Sequence, residues 1–355
     1  MARLLLRILI TSLATVASIG SASAGAFLWQ TSSEGDDIHV FDLQSRQLVR
    51  RLVVGPEPHG IAAPADARVV YVTLEANDRP RGELLWIDPH AYRIRHRMEI
   101  CREPHAIATT PDGRWIYVPC RDEHYWVVDA ERREVSARIR TGGRPHNVRI
   151  SHDGRLALLS PMGDAGRVTV VDVEAGHEVV GEIAFAASVR PSALSDDGRL
   201  FQHVDGLNGF QVADVARGKV VATVEHAAPL GWLLLHPRLG WLGPSGLQRC
   251  HGLAVRPGQH EIWSACGASV TIHDITDSTY PELARVPLAS KAYWLTFSPD
   301  GRWALVALSG ADQVAVVDAE SRDVVAQLST GAGPKRNLVI ELDQLAGTLS
   351  GEARY

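Results

Sequence analysis

A short block of β-forming residues that ends in aspartate recurs along this chain and limits what the chain can fold into. The block reads Val-Val-Asp in its clearest copies, and its aspartates are Asp42, Asp88, Asp129, Asp172, Asp214, Asp274 and Asp318. Successive aspartates lie 46, 41, 43, 42, 60 and 44 residues apart. A nearly constant period of this length is typical of a chain built from repeated structural units.

A second recurring block, Asp-Gly-Arg between two apolar runs, falls between these aspartates. Its copies begin at Asp112, Asp153, Asp197 and Asp300. Glycine accepts the positive φ that a tight hairpin turn requires, so each copy predicts a turn between two strands. Each period then holds four short strands, which is the content of one β-propeller blade. The seven aspartate blocks therefore predict an all-β fold, a seven-bladed β-propeller of four-stranded blades. The lack of a sustained helical period disfavours an α/β fold.

The two ends of the repeat array predict how the ring closes. Residues 27–31, 39–41 and 48–54 supply only three strands of the first blade. The missing innermost strand is predicted at residues 337–341, so that the N- and C-terminal strands share one blade and no sheet edge is left open. The propeller is accordingly predicted over residues 25–345, with a C-terminal tail at 346–355.

Residues 1–24 are predicted to be a secretory signal peptide. Arg3 and Arg7 precede an apolar run at 8–19, and the segment ends in Ala22-Ser23-Ala24. This order of charged, apolar and small residues is typical of a cleaved signal. An uncleaved anchor is the alternative, although the apolar run is short for a membrane span. We expect a periplasmic or secreted protein with no stable membrane span after cleavage.

The composition excludes some classes of function. The 355 residues are 45% hydrophobic and 22% charged, with a formal net charge of −5. These values are typical of a globular chain and lack the basic excess of a nucleic-acid-binding protein, so no nucleic-acid partner is expected. The sequence contains neither a nucleotide-binding glycine motif nor G-x-S-x-G, which disfavours a serine hydrolase. The 15 histidines are the unusual feature.

The repeats carry a family resemblance. Val-Val-Tyr-Val-Thr ends at Thr73, Arg-Trp-Ile-Tyr-Val ends at Val118, and Val-Val-Asp-Ala-Glu ends at both Glu131 and Glu320. In these residues the chain resembles the YVTN (YncE-like) family of seven-bladed β-propellers, over nearly all of the predicted mature protein. The resemblance implies the fold more specifically than the function. Its relatives include haem-binding propellers, copper enzymes, dehydrogenase subunits and interaction modules.

Four histidines share one position in the aligned repeats, at the start of an inner strand. They are His59, His105, His146 and His251. In other blades the same column holds Tyr293, Arg336, and either Ser192 or Arg190. Because the innermost strand of each blade lines the central channel, residues of one column should form one ring around one axis.

Imidazoles gathered at one level of a channel predict a metal site. Neutral imidazole is a favourable ligand for copper, iron and zinc. We therefore predict a metal ion, with copper favoured and iron or zinc as alternatives, held by the four histidines of the ring. Tyr293 and Arg336, in other positions of the ring, are the candidate catalytic residues and would orient a small substrate. Two alternatives stay open: a turn that the repeats duplicated without function, and a haem ligated by one of these histidines.

The other polar residues and histidines are expected either at the face that carries the histidine column or in other parts of the protein. The loops after the second strands carry candidates for acid–base or supporting roles, although most such charges are solvated: Glu75, Asp78, Arg121, Asp122, Glu123, His124, Asp164 and Asp205. His203 lies within a second strand and is predicted to be packed. The remaining histidines fit no common ring and are interpreted as surface or structural residues: His39, His90, His96, His152, His177, His226, His236, His260 and His273.

The four cysteines form two local pairs. Cys101 and Cys120 flank one inner strand and its successor, and Cys250 and Cys266 flank another. Because the second strand returns to the face where the inner strand began, each pair should meet beside its own histidine. Two disulfides are preferred in an exported protein, and thiolate ligation of a soft metal such as copper(I) is the alternative. The absence of C-x-x-C-H excludes covalent c-type haem attachment.

The long interval between Asp214 and Asp274 contains an insertion at residues 227–249. An apolar lid, a docking surface and a loop folded on the blade edges are all consistent with its Trp and Leu residues. Taken together, the sequence predicts a periplasmic propeller that binds a metal ion. If the protein is an enzyme, the metal would act as a redox centre or Lewis acid on a small substrate. The alternative is a non-catalytic carrier or interaction propeller, either haem-binding or a subunit or assembly factor that serves a periplasmic redox protein.

Overall fold

The computed structural model describes residues 24–163, 166–227 and 250–343, and these residues form seven four-stranded antiparallel sheets without a helix. The sheets are the blades of a β-propeller, as the repeat period predicted. In the same described ranges, no helix is long and apolar enough to cross a membrane.

The strands follow one another in the order of the blades. Those of the first four blades are Ala24–Ser32 (β1), Asp37–Asp42 (β2), Gln47–Val53 (β3), Pro58–Ala62 (β4), Val70–Leu74 (β5), Glu83–Asp88 (β6), Arg93–Glu99 (β7), Ala108–Thr109 (β8), Trp115–Pro119 (β9), His124–Asp129 (β10), Glu134–Arg140 (β11), Arg144–Ile150 (β12), Leu156–Met162 (β13), Arg167–Asp172 (β14) and Glu178–Ala184 (β15). The others are Val189–Leu194 (β16), Arg199–Val204 (β17), Gly209–Asp214 (β18), Lys219–Glu225 (β19), Cys250–Val255 (β20), Glu261–Cys266 (β21), Ser269–Asp274 (β22), Glu282–Pro287 (β23), Ala292–Phe297 (β24), Trp303–Leu308 (β25), Gln313–Asp318 (β26), Val324–Ser329 (β27) and Pro334–Asp343 (β28).

The seven recurring aspartates each end the third strand of a blade. Asp129, for example, accepts backbone N–H groups of Glu131 and Arg132 through its Oδ1 atom, at 3.1 and 2.9 Å. The other six accept a backbone N–H two or three residues ahead in the same way. A carboxylate that bonds the backbone of the next turn starts that turn, which is the physical reason for the repeat.

The Asp-Gly-Arg blocks form the predicted turns between the first and second strands of their blades. Asp112 Oδ1 accepts the backbone N–H of Arg114 at 3.0 Å, and Gly113 between them has a φ of +71°. A side chain would strain that backbone conformation, so the turn requires glycine.

The ring closes as the sequence predicted. The first blade has the strand order β28-β1-β2-β3, with Phe27 opposite Ile340 and Trp29 opposite Leu338. Apolar side chains then pack between neighbouring blades: Trp29 and Val40 of the first blade share one buried cluster with Val72 of the second. Pairing the two chain ends in one sheet removes the exposed edges that an open array would have.

The inner strands meet closely around the axis, and two glycines permit this. A Cβ atom on Gly60 would lie 2.3 Å from the carbonyl oxygen of His105, and one on Gly252 would lie 2.8 Å from Trp294 Cα. Both distances are too short for real atoms, so no side chain fits there. These glycines follow His59 and His251 directly, and the close packing fixes where those two histidines enter the channel.

Some predicted segments lie outside the described residues. They are residues 1–23 of the predicted signal peptide, residues 228–249 of the predicted insertion, the predicted tail at 346–355, Asp164 and His236.

Candidate metal centre

The structure places the four column histidines side by side at one end of the central channel. His59, His146 and His251 lie in the inner strands β4, β12 and β20, and His105 lies just before β8. Ring centroids are 3.9 Å apart for His59 and His105, 4.3 Å for His105 and His146, and 5.9 Å for His146 and His251. Four imidazoles from four blades therefore form one continuous row.

Glu75 brings a carboxylate into this row. It follows β5, its side chain is only 12% exposed, and its Oε1 atom contacts His105 Nδ1 and lies 3.5 Å from His59 Nδ1. One ligand atom from each of His59, Glu75 and His105 lies within 4.8 Å of the other two. Sequence reasoning placed Glu75 among loop charges that are mostly solvated, and the structure instead buries it between two imidazoles.

Three nitrogens of this group lack hydrogen-bond partners. They are Nδ1 and Nε2 of His59 and Nε2 of His105, and all three are buried. A buried polar atom without a partner loses its hydration and gains nothing in return. Each neutral imidazole has one lone pair, so the group holds two lone pairs, one on His59 and one on His105 Nε2. A cation bound between His59, Glu75 and His105 would satisfy both and balance the carboxylate charge, so the residues present fit a metal ion.

Burial keeps these histidines in the form that binds metals. It lowers the pKa of His59 to about 3, with a further contribution from His105. The pKa values of His146 and His251 are also held well below the usual value, first by burial and then by neighbouring cationic groups such as Arg336. For Glu75, burial alone would raise the pKa, but His59 and His105 outweigh it and hold the pKa well below its usual range. The group therefore combines neutral imidazoles with an ionised carboxylate.

His251 is oriented by the backbone of the next blade. Its Nδ1–H donates to the carbonyl oxygen of Tyr293 at 3.0 Å, and its ring stacks on the Tyr293 ring with centroids 3.8 Å apart. Because a carbonyl only accepts hydrogen bonds, the proton lies on Nδ1 and a lone pair remains on Nε2. The Nε2 atom of His251 is therefore available to bind a metal ion.

His146 has the opposite tautomer, and Arg336 fixes it. Arg336 Nη2 donates to Asn147 Oδ1 at 2.8 Å, which turns the amide so that Asn147 Nδ2 donates to His146 Nδ1 at 2.5 Å. The neutral ring then carries its proton on Nε2. His146 therefore presents an N–H group where its neighbours present lone pairs, and sequence reasoning did not foresee the part played by Asn147.

A cavity of about 430 Å³ adjoins the row of histidines. Its lining includes Glu75, the imidazoles of His105, His146 and His251, and the ring of Tyr293. Its wall also carries four basic residues, Arg121, Arg144, Arg190 and Lys291. Arg121 and Arg190 are paired with the carboxylates of Glu103 and Asp205, which also line the cavity. Arg144 and Lys291 are therefore the cations that an anionic group of small to moderate size could meet beside the histidines.

The two candidate catalytic residues lie in different places. Tyr293 lines this cavity, whereas Arg336 lies on the other side of the histidines and lines a second cavity of similar size. Arg336 is 4% exposed, and its guanidinium carbon lies 3.5 Å from the centroid of the Trp294 ring. Burial lowers the pKa of Arg336 to about 9. Its position suits it to orient His146 through Asn147 and not to contact a substrate in the first cavity.

The other loop residues divide between the cavity wall and local contacts. Arg121 and Asp205 line the cavity, where Arg121 pairs with Glu103 and Asp205 pairs with Arg190. Asp122 accepts a hydrogen bond from Trp126, Glu123 pairs with Arg140, and His124 bonds the carbonyl oxygen of Asp122. Asp78 is exposed.

Both predicted disulfides are confirmed. Cys101 is bonded to Cys120 and Cys250 to Cys266, and the described residues contain no free cysteine. Each bond lies beside a histidine of the row, because Cys101 is four residues before His105 and Cys250 directly precedes His251. With all four sulfurs paired, no thiolate is available to the metal in this state of the protein.

Comparison with known proteins gives one family match. The model of the Cytochrome D1 heme domain matches residues 75–175, the segment that contains Glu75, His105 and His146. No curated protein matches the sequence significantly.

Solved structures share the fold at low sequence identity. A periplasmic gluconolactonase of Pseudomonas aeruginosa has a TM-score of 0.70 and 18% identity, with 90% of this chain and 99% of that chain covered. Hydrazine synthase of Kuenenia stuttgartiensis has a TM-score of 0.66 and 18% identity, with coverages of 81% and 91%. The dihydro-haem d1 dehydrogenase NirN, solved in complex with DHE, has a TM-score of 0.62 and 14% identity, and the match covers 86% of this chain and 64% of NirN. These likenesses establish the propeller fold, and the function has to be argued from the site.

Proposed function

We propose that this protein binds a metal ion at the histidine-lined end of its channel, with copper as the favoured metal. The observation that carries the proposal is the buried group of His59, Glu75 and His105, in which three imidazole nitrogens lack partners beside a carboxylate. His251 offers a third imidazole lone pair through Nε2, and Glu75 adds an oxygen ligand that the histidine column does not assign. His146 completes the proposed ring of four histidines as an N–H donor beside the metal, in place of the fourth ligand that the column predicts.

The choice of copper is based on ligand chemistry. Sites rich in imidazole bind first-row divalent ions in an order of affinity that peaks at copper(II), and they also accept zinc and iron. Neutral imidazoles are already present because burial lowers their pKa values. When bound, the metal would supply redox or Lewis-acid chemistry to a small substrate in the adjoining cavity, or to a redox partner protein at its rim.

In that function, the residues around the metal have distinct roles. His146 carries an N–H group and Tyr293 a phenol, and both residues line the cavity, where they would orient an anionic substrate. Arg336 is a positioning residue for His146. If the protein is instead a carrier, the same groups would hold the cargo without turnover.

A haem is the second candidate, and one observation favours it. The segment that matches the Cytochrome D1 heme domain contributes Glu75, His105 and His146 to the site. A tetrapyrrole carries carboxylates, and four basic residues line the cavity beside the histidines. In this alternative, one histidine of the row ligates the haem iron and the protein acts in binding or assembly.

We further propose that the protein is exported and related to the YVTN (YncE-like) propellers. Export is supported by the N-terminal sequence and by two disulfides, because disulfides persist in oxidising compartments. The family relation is supported by the Tyr-Val and Val-Val-Asp-Ala-Glu repeats.

The test is the metal content of protein purified from its exported form. We expect about one copper ion per chain in the wild type and background copper in His105→Ala. The matched control is His152→Ala, which removes an exposed histidine outside the row and should keep the wild-type content. Equal metal in His105→Ala and the wild type would contradict the proposal, and a haem absorption spectrum in the purified protein would favour the second candidate.

A further inference from the structure

Three histidines outside the channel row form a second buried cluster between the fifth and sixth blades. His203 lies in β17, His226 follows β19, and His273 lies in β22. Their exposed fractions are 1%, 6% and 1%. Sequence reasoning predicted that His203 is packed and interpreted His226 and His273 as surface or structural residues.

Backbone carbonyls fix the tautomers of this cluster. His203 Nδ1–H donates to the carbonyl oxygen of His251 at 3.1 Å, and His273 Nδ1–H donates to that of Tyr280 at 2.7 Å. The remaining His273 nitrogen, Nε2, must therefore accept, and His226 Nδ1–H donates to it at 2.9 Å. It follows that His203 and His226 both have their lone pair on Nε2.

Both lone pairs point at one hydroxyl group. Ser264 Oγ lies 2.8 Å from His203 Nε2 and 3.1 Å from His226 Nε2. A hydroxyl has one hydrogen, so it can satisfy only one of the two imidazoles. The other lone pair is buried and uncompensated, as at the histidine row.

The Cys250–Cys266 disulfide lies against the same point. Cys266 Sγ is 3.1 Å from Ser264 Oγ, and one ligand atom from each of His203, His226, Cys250 and Cys266 lies within 4.8 Å of all the others. All four residues are buried. Two thiolates and two imidazoles are the ligand set of a closed tetrahedral zinc site.

We infer that reduction of the Cys250–Cys266 disulfide creates a Cys₂His₂ metal site, whose two imidazole ligands are His203 and His226. A dithiol reductant supplies two electrons and two protons and becomes a disulfide itself, while Cys250 and Cys266 become thiols. A divalent ion such as Zn²⁺ then binds the two sulfurs and the two Nε2 atoms, and the two thiol protons pass to solvent. Rotation of the Ser264 side chain about its Cα–Cβ bond moves Oγ out from between the two imidazoles when the metal binds.

Two features make the disulfide suited to this chemistry. Cys250 lines the same cavity as His251, so a reductant reaches it from the channel end. The Nδ1–H groups of His203 and His226 already donate to acceptors, as the non-ligating nitrogen of a histidine usually does in a metal site. Burial lowers the pKa of His203 to about 3 and that of His226 to about 2, so both imidazoles are neutral.

The other disulfide is a matched control within the same chain. Among the described residues, no histidine pair joins Cys101 and Cys120 in a group of potential ligands with this spacing. Reduction of that bond should release two thiols without a preformed partner set.

The experiment is a Co²⁺ titration of the full-length protein before and after reduction with a water-soluble phosphine, because cobalt–thiolate absorption reports sulfur ligands directly. We expect one equivalent of Co²⁺ with thiolate absorption in the reduced wild type and in Cys101→Ser/Cys120→Ser, and no thiolate absorption in the oxidised protein. His226→Gln should weaken this binding at least tenfold while both sulfurs remain. His59→Ala/His105→Ala should keep it, which separates this inference from the proposed function.

Two results would overturn the inference. One is the absence of thiolate absorption in the reduced wild type, whether or not circular dichroism shows the propeller intact. The other is the same absorption in Cys250→Ser/Cys266→Ser, which would assign it to Cys101 and Cys120. If that double variant fails to fold, His203→Gln/His226→Gln replaces it, and unchanged cobalt affinity there would overturn the inference equally.

Discussion

The protein contains two clusters of histidines whose nitrogens are buried away from water. The two clusters differ in how the surrounding groups compensate those nitrogens. The row at the channel end combines imidazoles with the carboxylate of Glu75 and leaves three nitrogens without partners. The cluster between the fifth and sixth blades lies beside the carboxylate of Glu282, which is paired with Arg285. Backbone carbonyls accept two of its N–H groups, and His226 and Ser264 donate to all but one of its lone pairs.

The difference shows that burial of histidines does not by itself indicate a binding site. Both clusters are neutral because burial lowers their pKa values. What separates them is the number of unsatisfied lone pairs and the pairing of the nearby carboxylate: Glu282 is paired with Arg285, whereas Glu75 contacts imidazoles and leaves a negative charge that a bound cation would compensate. By this criterion we propose the channel row as the metal site of the oxidised protein, and the second cluster as a metal site of the reduced protein alone.

The largest expected effects on stability come from the disulfide beside each cluster. Removing either one, as Cys101→Ser/Cys120→Ser or Cys250→Ser/Cys266→Ser, should lower the free energy of unfolding by about 3 kcal/mol, because the closed loops are of similar length. Urea unfolding of the metal-free proteins measures this. Losses that differ by more than about 1.5 kcal/mol would show that one bond also supports its histidine cluster.

The next effect concerns the carboxylate that distinguishes the row. Glu75→Gln keeps the shape of the side chain but removes its charge, so copper affinity should fall roughly 100-fold, about 2.7 kcal/mol. Asp78→Asn is the control, because this exposed acid is three residues away and outside the group. Isothermal titration with copper compares them, and equal affinities would mean that Glu75 does not ligate the metal.

The regular parts of the molecule could be predicted from the sequence, because each depends on local residues. The aspartate period, the Asp-Gly turns, the ring closure and both disulfides follow from strand order and turn chemistry. The column of His59, His105, His146 and His251 is also visible, since one position of a repeat maps to one level of the channel.

The parts that could not be predicted depend on contacts between blades. Glu75 belongs to a loop, and only the packing of the second blade against the third turns it inward. His226 and His273 occupy different positions in their blades, so no alignment column joins them. The repeat column predicts the correct strand for Arg336, but its side chain stacks on Trp294 instead of entering the first cavity.

The pH dependence of stability in the oxidised, metal-free protein should contain a contribution from His226 of the second cluster. Burial lowers the pKa of His226 to about 2, with smaller contributions from His273, His203 and Arg285, and the unfolded value is near 6.5. Between these two values the unfolded chain binds more protons than the folded protein. The contribution of such a histidine to the free energy of unfolding is therefore fully present above pH 6.5, and it falls by up to about 1.4 kcal/mol per pH unit as the pH drops.

The measurement is urea unfolding at pH 7.5, 6.0 and 5.0 in the presence of a chelator. His226→Gln should reduce the slope below pH 6.5, and His152→Ala should leave it unchanged. A His226→Gln slope as steep as that of the wild type would assign the pH dependence to other groups.

The smallest expected effect comes from the tautomer of His146. Asn147→Leu removes the amide N–H that fixes the proton on Nε2, so Nε2 can present a lone pair to the metal and copper affinity should rise by roughly tenfold. Nitrogen-15 NMR of the histidine rings supplies a readout independent of affinity. The His146 signals should change tautomer in the variant, and unchanged signals would contradict the role assigned to Arg336 and Asn147.

The most direct test of the metal site is copper anomalous diffraction from crystals of the oxidised protein. The account predicts a copper peak within about 2.2 Å of an imidazole nitrogen of His59 or His105, next to the Glu75 carboxylate. A fully loaded crystal with no peak there, or with its copper peak between His203 and His226, would contradict it.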